Sequence, residues 1–288
     1  MLWCMSTLAR RLWQQYEPIH DVIYFSDESL TAAKELGLRG FWMGYFAFRA
    51  APLGPVDPAV VVATFYGFAP ARVRRALPDA WSYASPAAVL AARESAVDRS
   101  MRAVFGPAID SAELAEAAEL AWTAAQVADI TGRPLAAANQ ALPKPEAPHL
   151  ALWLAATVLR EHRGDGHNAV LVTRGIGPTQ AHELKIATGE SDGELLRTGR
   201  GFTEDEWAAA RDELSERGWL DDANKLTDAG HREHEFIEQL TDAACEQPWR
   251  ALGEQGSARL LQLLRPLADA VIDSGAVPAI SPVGIVRD

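Results

Sequence analysis

The sequence predicts a mainly α protein, pseudo-duplicated into two related halves, each a set of helices carrying a small β-wing. Three observations carry this expectation. Apolar residues recur with helical period along most of the 288 residues. An aliphatic-Gly-Pro turn followed by a short apolar run occurs twice, in APLGPVDPAVVVATFYG around Leu53 and RGIGPTQAHELKIATGE around Ile176. A turn, a Ser able to cap a helix (Ser111, Ser257) and a long apolar-periodic helix also occur twice, in VFGPAIDSAELAEAAELAWTAAQVADITGRP and ALGEQGSARLLQLLRPLADAVIDSGAVP.

The two halves are expected at residues 1–143 and 144–288, joined through ALPKPEAPH, where three prolines mark a linker. With 48% hydrophobic and 23% charged residues, each half has the means for its own core. The opening MLWCMSTLARRLWQQYEP is apolar too briefly for a secretion signal, and Arg10 and Arg11 follow its apolar residues instead of preceding them. No run approaches the roughly 18–20 apolar residues of a membrane span. Cys4 and Cys245 stand far apart without a CxxC pair, which fits a reducing cytoplasm better than a disulfide scaffold. Neither a membrane nor a nucleic acid is favoured as partner; a small molecule is, and a homodimer is compatible.

In the first half, GLRGFWMGYFAFRAAPLG concentrates Phe41, Trp42, Tyr45, Phe46 and Phe48 ahead of Arg49. Tyr45 and Arg49 are four residues apart and share a helix face, where an arginine can clamp a carboxylate or enolate. His20 and Tyr24 repeat that spacing in EPIHDVIYF, and Tyr66 closes the apolar run after the first Gly-Pro turn.

In the second half, LALWLAATVLREHRGDGHNAVLV runs from Leu150, Trp153, Leu154 and Val158 into Arg160, Glu161, His162, Arg163, Asp165 and His167. The simplest reading is a charged helix end stopped by Gly164 and Gly166. The same residues are also the set that acid–base chemistry draws on, and two glycines allow close approach of backbone to a ligand. Glu238 and Asp242, four apart in FIEQLTDAACEQPW, are expected to pair structurally with Arg160 or Arg163.

Thr203 caps the next predicted helix in FTEDEWAAARDELSERGWL, with Glu204, Asp205 and Glu206 at its positive end and Gly218 at its stop. A polar hairpin candidate, WLDDANKLTDAG, and a long helix from about Gly230 follow. This order over about residues 150–245 is similar to the winged-helix module of MarR-type regulators. Its candidate recognition helix, however, offers Asp205, Glu206, Asp212, Glu213 and Glu216 against Arg211 and Arg217, a surface that repels phosphate. The net charge of −12 points the same way, and only Arg72, Arg74 and Arg75, with Arg10 and Arg11, could form a basic face.

There is no GxGxxG, Walker or GxSxG motif and no HExxH, so no cofactor and no metal is expected. YFAFRAAPLGPVDPAVVVATFYGF, GRPLAAAN, LREHRGDGHNAVLV, GFTEDEWAAARDELSERGWL and IEQLTD…PW together resemble a little-characterised actinobacterial family of duplicated helix-turn-helix-like proteins. Some members resemble cofactor-free tailoring proteins of natural-product metabolism that dehydrate or cyclise. The resemblance implies such an enzyme here, although Leu154 stands where a polar residue is expected. His167 is then the acid or base, Asp165 or Glu161 orients it, and Tyr45 with Arg49 polarises a carbonyl or holds an oxyanion. His20, Tyr24, Trp42, Phe46, Tyr66, Trp153, His162 and Arg163 are the expected substrate-binding residues in a cleft between the halves. The alternative is a ligand-sensing winged-helix DNA-binding transcriptional regulator.

Overall fold

The computed structural model describes residues 7–278; Cys4 and most of the apolar opening lie outside them. Thr7 caps α1 (Leu8–Phe25) through its side chain, and Ser26 does the same for α2 (Asp27–Glu35). The aromatic-rich segment forms α3 (Gly40–Ala50). The first Gly-Pro turn leads into α4 (Pro58–Phe65), capped by Asp57 and started by a proline whose absent N–H is no loss there. Short helices α5 (Pro70–Ala76) and α6 (Ala80–Tyr83) precede the long α7 (Pro86–Phe105). Ser111 caps α8 (Ala112–Val127) as expected, and α9 (Pro134–Gln140) follows.

Beyond the proline-rich stretch, α10 (Pro148–Thr173) runs for 26 residues, about 39 Å at 1.5 Å per residue. It passes straight through Gly164 and Gly166, so neither glycine stops a helix. The second Gly-Pro turn opens α11 (Pro178–Thr188), followed by α12 (Gly193–Arg200) and α13 (Glu204–Glu216). The chain closes with α14 (Asp228–Ala244), α15 (Gln247–Leu252) and α16 (Glu254–Asp273). Ser257 lies inside α16 and donates to the Trp249 carbonyl at 3.1 Å, so it does not cap that helix; Gly253 holds the cap position.

Helix α10 lies most extensively on α8, and α1 on α16. The α8 face at these contacts is Ala117, Ala118, Ala121, Ala124 and Ala125, all buried. Small side chains let α10 bring Leu152, Ala155, Ala156 and Leu159 in close. A smaller cluster of Leu171, Ile176, Leu184, Leu214, Leu220 and Ile237 joins the end of α10 to the helices that follow it.

The expected β-wings are not present: no β-strand occurs among the described residues, and the protein is 77% helical. WLDDANKLTDAG makes one isolated antiparallel bridge, Leu220 with Leu226. The physical reason is local. The Asp221 carboxylate accepts the backbone N–H groups of Ala223 and Lys225, at 2.8 and 2.9 Å, closing the loop on itself. In the first half, the stretch between α5 and α7 is taken by α6. Among the described residues no single helix is long and apolar enough to cross a membrane. One bent pair, Gly40–Leu53 with Pro58–Phe65 at 96°, has the length and composition, but its Phe46, Phe48 and Val61 are buried in the protein core.

Candidate functional site

A cavity of about 580 Å³ opens between α1, α3 and α4 on one side and α10, α11, α12 and α14 on the other. One wall is aromatic: Tyr24, Phe25, Phe41, Trp42, Tyr45, Phe65, Tyr66 and Phe68. The rest of the lining is polar: Glu17 and Asp21 from α1, and Arg160, Arg163, His167, Lys185, Arg200 and Glu238 from the helices across the cavity. A pocket of this size and split character suits a small molecule with an apolar body and an oxygen-bearing end.

The polar floor is a chain of paired charges. Arg49 grips Glu161 with two hydrogen bonds, at 2.8 and 2.9 Å, and its third branch donates to the Tyr45 hydroxyl at 3.4 Å. Its guanidinium also lies 4.2 Å from the centre of the Phe65 ring. Arg160 bridges Glu161 and Glu17, at 3.1 and 3.0 Å, and Trp13 donates to the other Glu17 oxygen at 2.9 Å. Burial opposes charge on Glu161, but Arg49 and Arg160 outweigh it and hold the carboxyl below the ordinary carboxylate range. Tyr45 and Arg49 thus share a face as their spacing requires, and Arg49 is the clamp of an internal carboxylate.

His167 lines the cavity, and its Nδ1 lies 2.9 Å from the Thr241 hydroxyl. That hydroxyl donates its own proton to the Ile237 carbonyl at 2.8 Å, so its oxygen accepts from Nδ1–H. Nε2 is then the nitrogen with the lone pair. Burial lowers the pKa to about 4, so the neutral form prevails at pH 7. Beside it His182, also lining the cavity, is paired with the Gly67 carbonyl through Nε2 at 2.9 Å, and burial lowers its pKa to about 3. Tyr66 sits at φ 54°, ψ −63°, in a tight turn closed by Gly67 N–H to Phe65 carbonyl at 2.6 Å. This positive-φ conformation is strained for a residue with a Cβ, by about 1–3 kcal/mol. The Tyr66 hydroxyl, bonded to the Ile176 carbonyl, helps hold it.

Of the sequence-predicted residues, Tyr24, Trp42, Tyr45, Arg49, Tyr66, Arg163 and His167 meet at the cavity. The others lie elsewhere. Asp165 does not orient His167: its carboxylate accepts the backbone N–H groups of Leu135 and Ala136, both at 3.0 Å, tying α10 to the start of α9. Burial nevertheless raises its pKa to about 7. Glu161 does not touch His167 either and serves the Arg49–Arg160 floor. His20 is a core histidine whose Nδ1 meets the Thr157 hydroxyl at 3.0 Å; burial takes its pKa well down. Trp153 donates to the His20 carbonyl at 3.3 Å inside the core, and Phe46 is fully buried in the aromatic cluster behind the wall. His162 is buried on the far side of α10, with a pKa lowered by burial to about 4. Arg163 holds Asp242 at 2.7 Å and Glu238 at 3.2 Å, the pairing its sequence partners predict.

Glu17, His182, Lys185, Asp21 and Arg200 all line the cavity and escaped the sequence reading; the last two stand out. Asp21, on α1, is buried and lines the cavity without a hydrogen bond or ion pair among the described residues. Arg200 ends α12, places its charge by the Tyr45 hydroxyl and lies 4.5 Å from the Phe68 ring centre. Burial lowers its pKa to about 10, Arg49 and Arg160 pushing the same way. The spacing of Asp21 from Glu17 was the available signal for the first; nothing local marks the second. No group of three or more His, Cys, Asp or Glu side chains placed to hold a metal ion occurs among the described residues.

The outward face of α13 is acidic. Glu204, Asp205, Glu206, Asp212, Glu213 and Glu216 are exposed, and Trp207, Ala210 and Leu214 are buried. Arg211 is turned to Glu183 at 2.7 Å, and Arg217 to the Gly175 carbonyl at 2.8 Å. Against known families, the model of a helix-turn-helix family matches residues 9–278. The chain belongs to this helix-turn-helix family. No curated protein and no solved structure gives a significant match. In this helix-turn-helix protein, Arg10 is bound to Asp242 at 3.0 Å and Arg72 donates to the Thr198 carbonyl at 3.1 Å. Of the expected basic face, Arg11, Arg74 and Arg75 remain exposed.

Proposed function

We propose that this helix-turn-helix protein is a cofactor-independent enzyme of specialised metabolism, a dehydratase or cyclase. Its substrate is a largely apolar small molecule with a carbonyl or enolate oxygen, held between the aromatic wall and the charged floor. The observation that carries the reading is a neutral His167 with a free Nε2 in the same cavity as the Tyr45–Arg49–Arg200 donors. Nε2 accepts a proton from the carbon next to the carbonyl. Tyr45, polarised by two guanidinium groups, donates to the oxygen on which charge develops. Positioned proton acceptors and oxyanion donors are each worth roughly 10²–10⁴-fold in rate, so proton transfer alone can drive such a step.

A native mass spectrum of freshly purified protein is expected to show a retained small molecule. Once a substrate is in hand, His167→Ala and Tyr45→Phe are expected to lower turnover by about 10²-fold or more. Unchanged turnover in both would remove the assignment.

Family membership favours a second reading, a ligand-sensing regulator that binds DNA. The acidic exposed face of α13 weighs against it, because affinity for duplex DNA depends on neutralising phosphates. Sequence-dependent, nanomolar binding of duplex DNA at physiological salt would establish it in place of the enzyme.

A further inference from the structure

Glu17 and Asp21 are one turn apart on α1 and both line the cavity, yet their surroundings differ completely. Glu17 is 1% exposed, and its two oxygens accept hydrogen bonds from Arg160 at 3.0 Å and Trp13 at 2.9 Å. Asp21 is 7% exposed and has no donor at all among the described residues. Arg160, on the facing helix α10, is already shared between Glu17 and Glu161. An isolated ionised carboxylate out of water is costly, and a second negative charge one turn away raises the cost further. Protonation removes both penalties. Two carboxyl groups whose environments diverge in this way take opposite roles in proton transfer.

We propose that Asp21 is the proton donor of this cavity, working opposite His167. The assignment rests on the enzyme reading above and narrows its substrate class to β-hydroxy carbonyl compounds. His167 Nε2 takes the proton from the carbon between carbonyl and carbinol, and that electron pair forms the new C=C bond. The C–O bond at the β carbon breaks, and the departing oxygen takes the Asp21 proton and leaves as water. The products are the conjugated enone, water, protonated His167 and the Asp21 carboxylate. Exchange with solvent returns both side chains to their starting state, and no oxidant or reductant enters. Burial raises the Asp21 pKa well above the ordinary carboxylate value, with Glu17 the next contribution in the same direction, while Arg160 and Arg49 pull against them.

Dicyclohexylcarbodiimide, a hydrophobic reagent that couples to carboxyl groups in their protonated form, tests the donor on the intact chain at pH 7, with the label located by peptide mass spectrometry. Label on Asp21, absent in Asp21→Asn, is the expected result. An unlabelled Asp21, or label on Glu17 in its place, overturns the proposal. In parallel, elimination of water from 4-hydroxy-4-phenylbutan-2-one is followed by enone absorbance. There Asp21→Asn, which keeps the shape and loses the transferable proton, is expected to be slower by about 10²-fold or more. Elimination that persists unchanged in Asp21→Asn, with Asp21 unlabelled, sinks the donor and leaves the enzyme. Label on Asp21 without any elimination by the wild type keeps the acid and sinks the enzyme.

Discussion

Glu161 is the residue on which the cavity floor turns. Its two oxygens neutralise Arg49 and Arg160, all three being largely removed from water. A buried ion pair adds little net stability over an apolar equivalent, yet removing one partner strands the other. Glu161→Gln strands the Arg49 guanidinium and leaves Arg160 with Glu17 alone, so a loss of about 3–5 kcal/mol is expected in urea unfolding. A loss below about 1 kcal/mol would mean that the floor is solvated like a surface network. Tyr45→Phe removes one weak hydrogen bond on the exposed side of the same floor. It is expected to leave the urea midpoint nearly unchanged, which separates its effect on turnover from one on folding.

At the scale of elements, glycine serves approach more than termination. Helix α10 keeps two glycines in its interior, each a cost of roughly 1 kcal/mol relative to alanine. Gly166 explains its presence: a Cβ there would stand 2.5 Å from an Arg133 nitrogen. That arginine donates to the His162 and Ala244 carbonyls, joining α10, α14 and the loop before α9. Gly230 is more constrained. It lies in the first turn of α14, and a Cβ would meet the Trp219 carbonyl oxygen at 2.1 Å, a backbone atom that cannot swing aside. Gly230→Ala is expected to displace the 219–227 loop and to lower stability by about 1–3 kcal/mol in thermal or urea unfolding. A variant as stable as the wild type would show that this loop adjusts freely.

For the molecule as a whole, burial of neutral histidines dictates its response to acid. Burial lowers the pKa of His162 and His167 to about 4 and of His182 to about 3. On these rings the unfolded chain, with histidines near 6.5, binds more protons than the folded one between those values. The histidine contribution is therefore fully present above about pH 6.5 and is lost as pH falls through that window. Asp165, its pKa raised to about 7, and Asp21, raised well above its ordinary value, hold protons in the folded chain there and oppose part of the loss. The limiting slope is about 1.4 kcal/mol per pH unit for each such histidine. The urea midpoint is expected to drop steadily from pH 6.5 to pH 4.5, before most carboxylates titrate. A midpoint that rises as pH falls over that interval would show that the buried carboxyls of Asp21 and Asp165 outweigh these rings.

What was legible in the sequence was what helix geometry makes local. Thr203 and Ser111 cap helices because a side-chain oxygen three residues before a free N–H can reach it. Tyr45 and Arg49 share a face because 3.6 residues make a turn. The winged-helix reading failed where a side chain, Asp221, took the backbone donors that a strand pair needs. The tertiary structure alone decided the partners. Asp165 reaches α9, His167 reaches Thr241, and Arg200 reaches Tyr45, across 30, 74 and 155 residues of chain. Such distances are set by how helices cross and not by spacing along one of them. For the same reason Asp21 reads in sequence as an ordinary charge after a histidine. Only the packing of α1 against α10, which gives Arg160 to its neighbour Glu17 and nothing to Asp21, turns it into an acid facing a cavity.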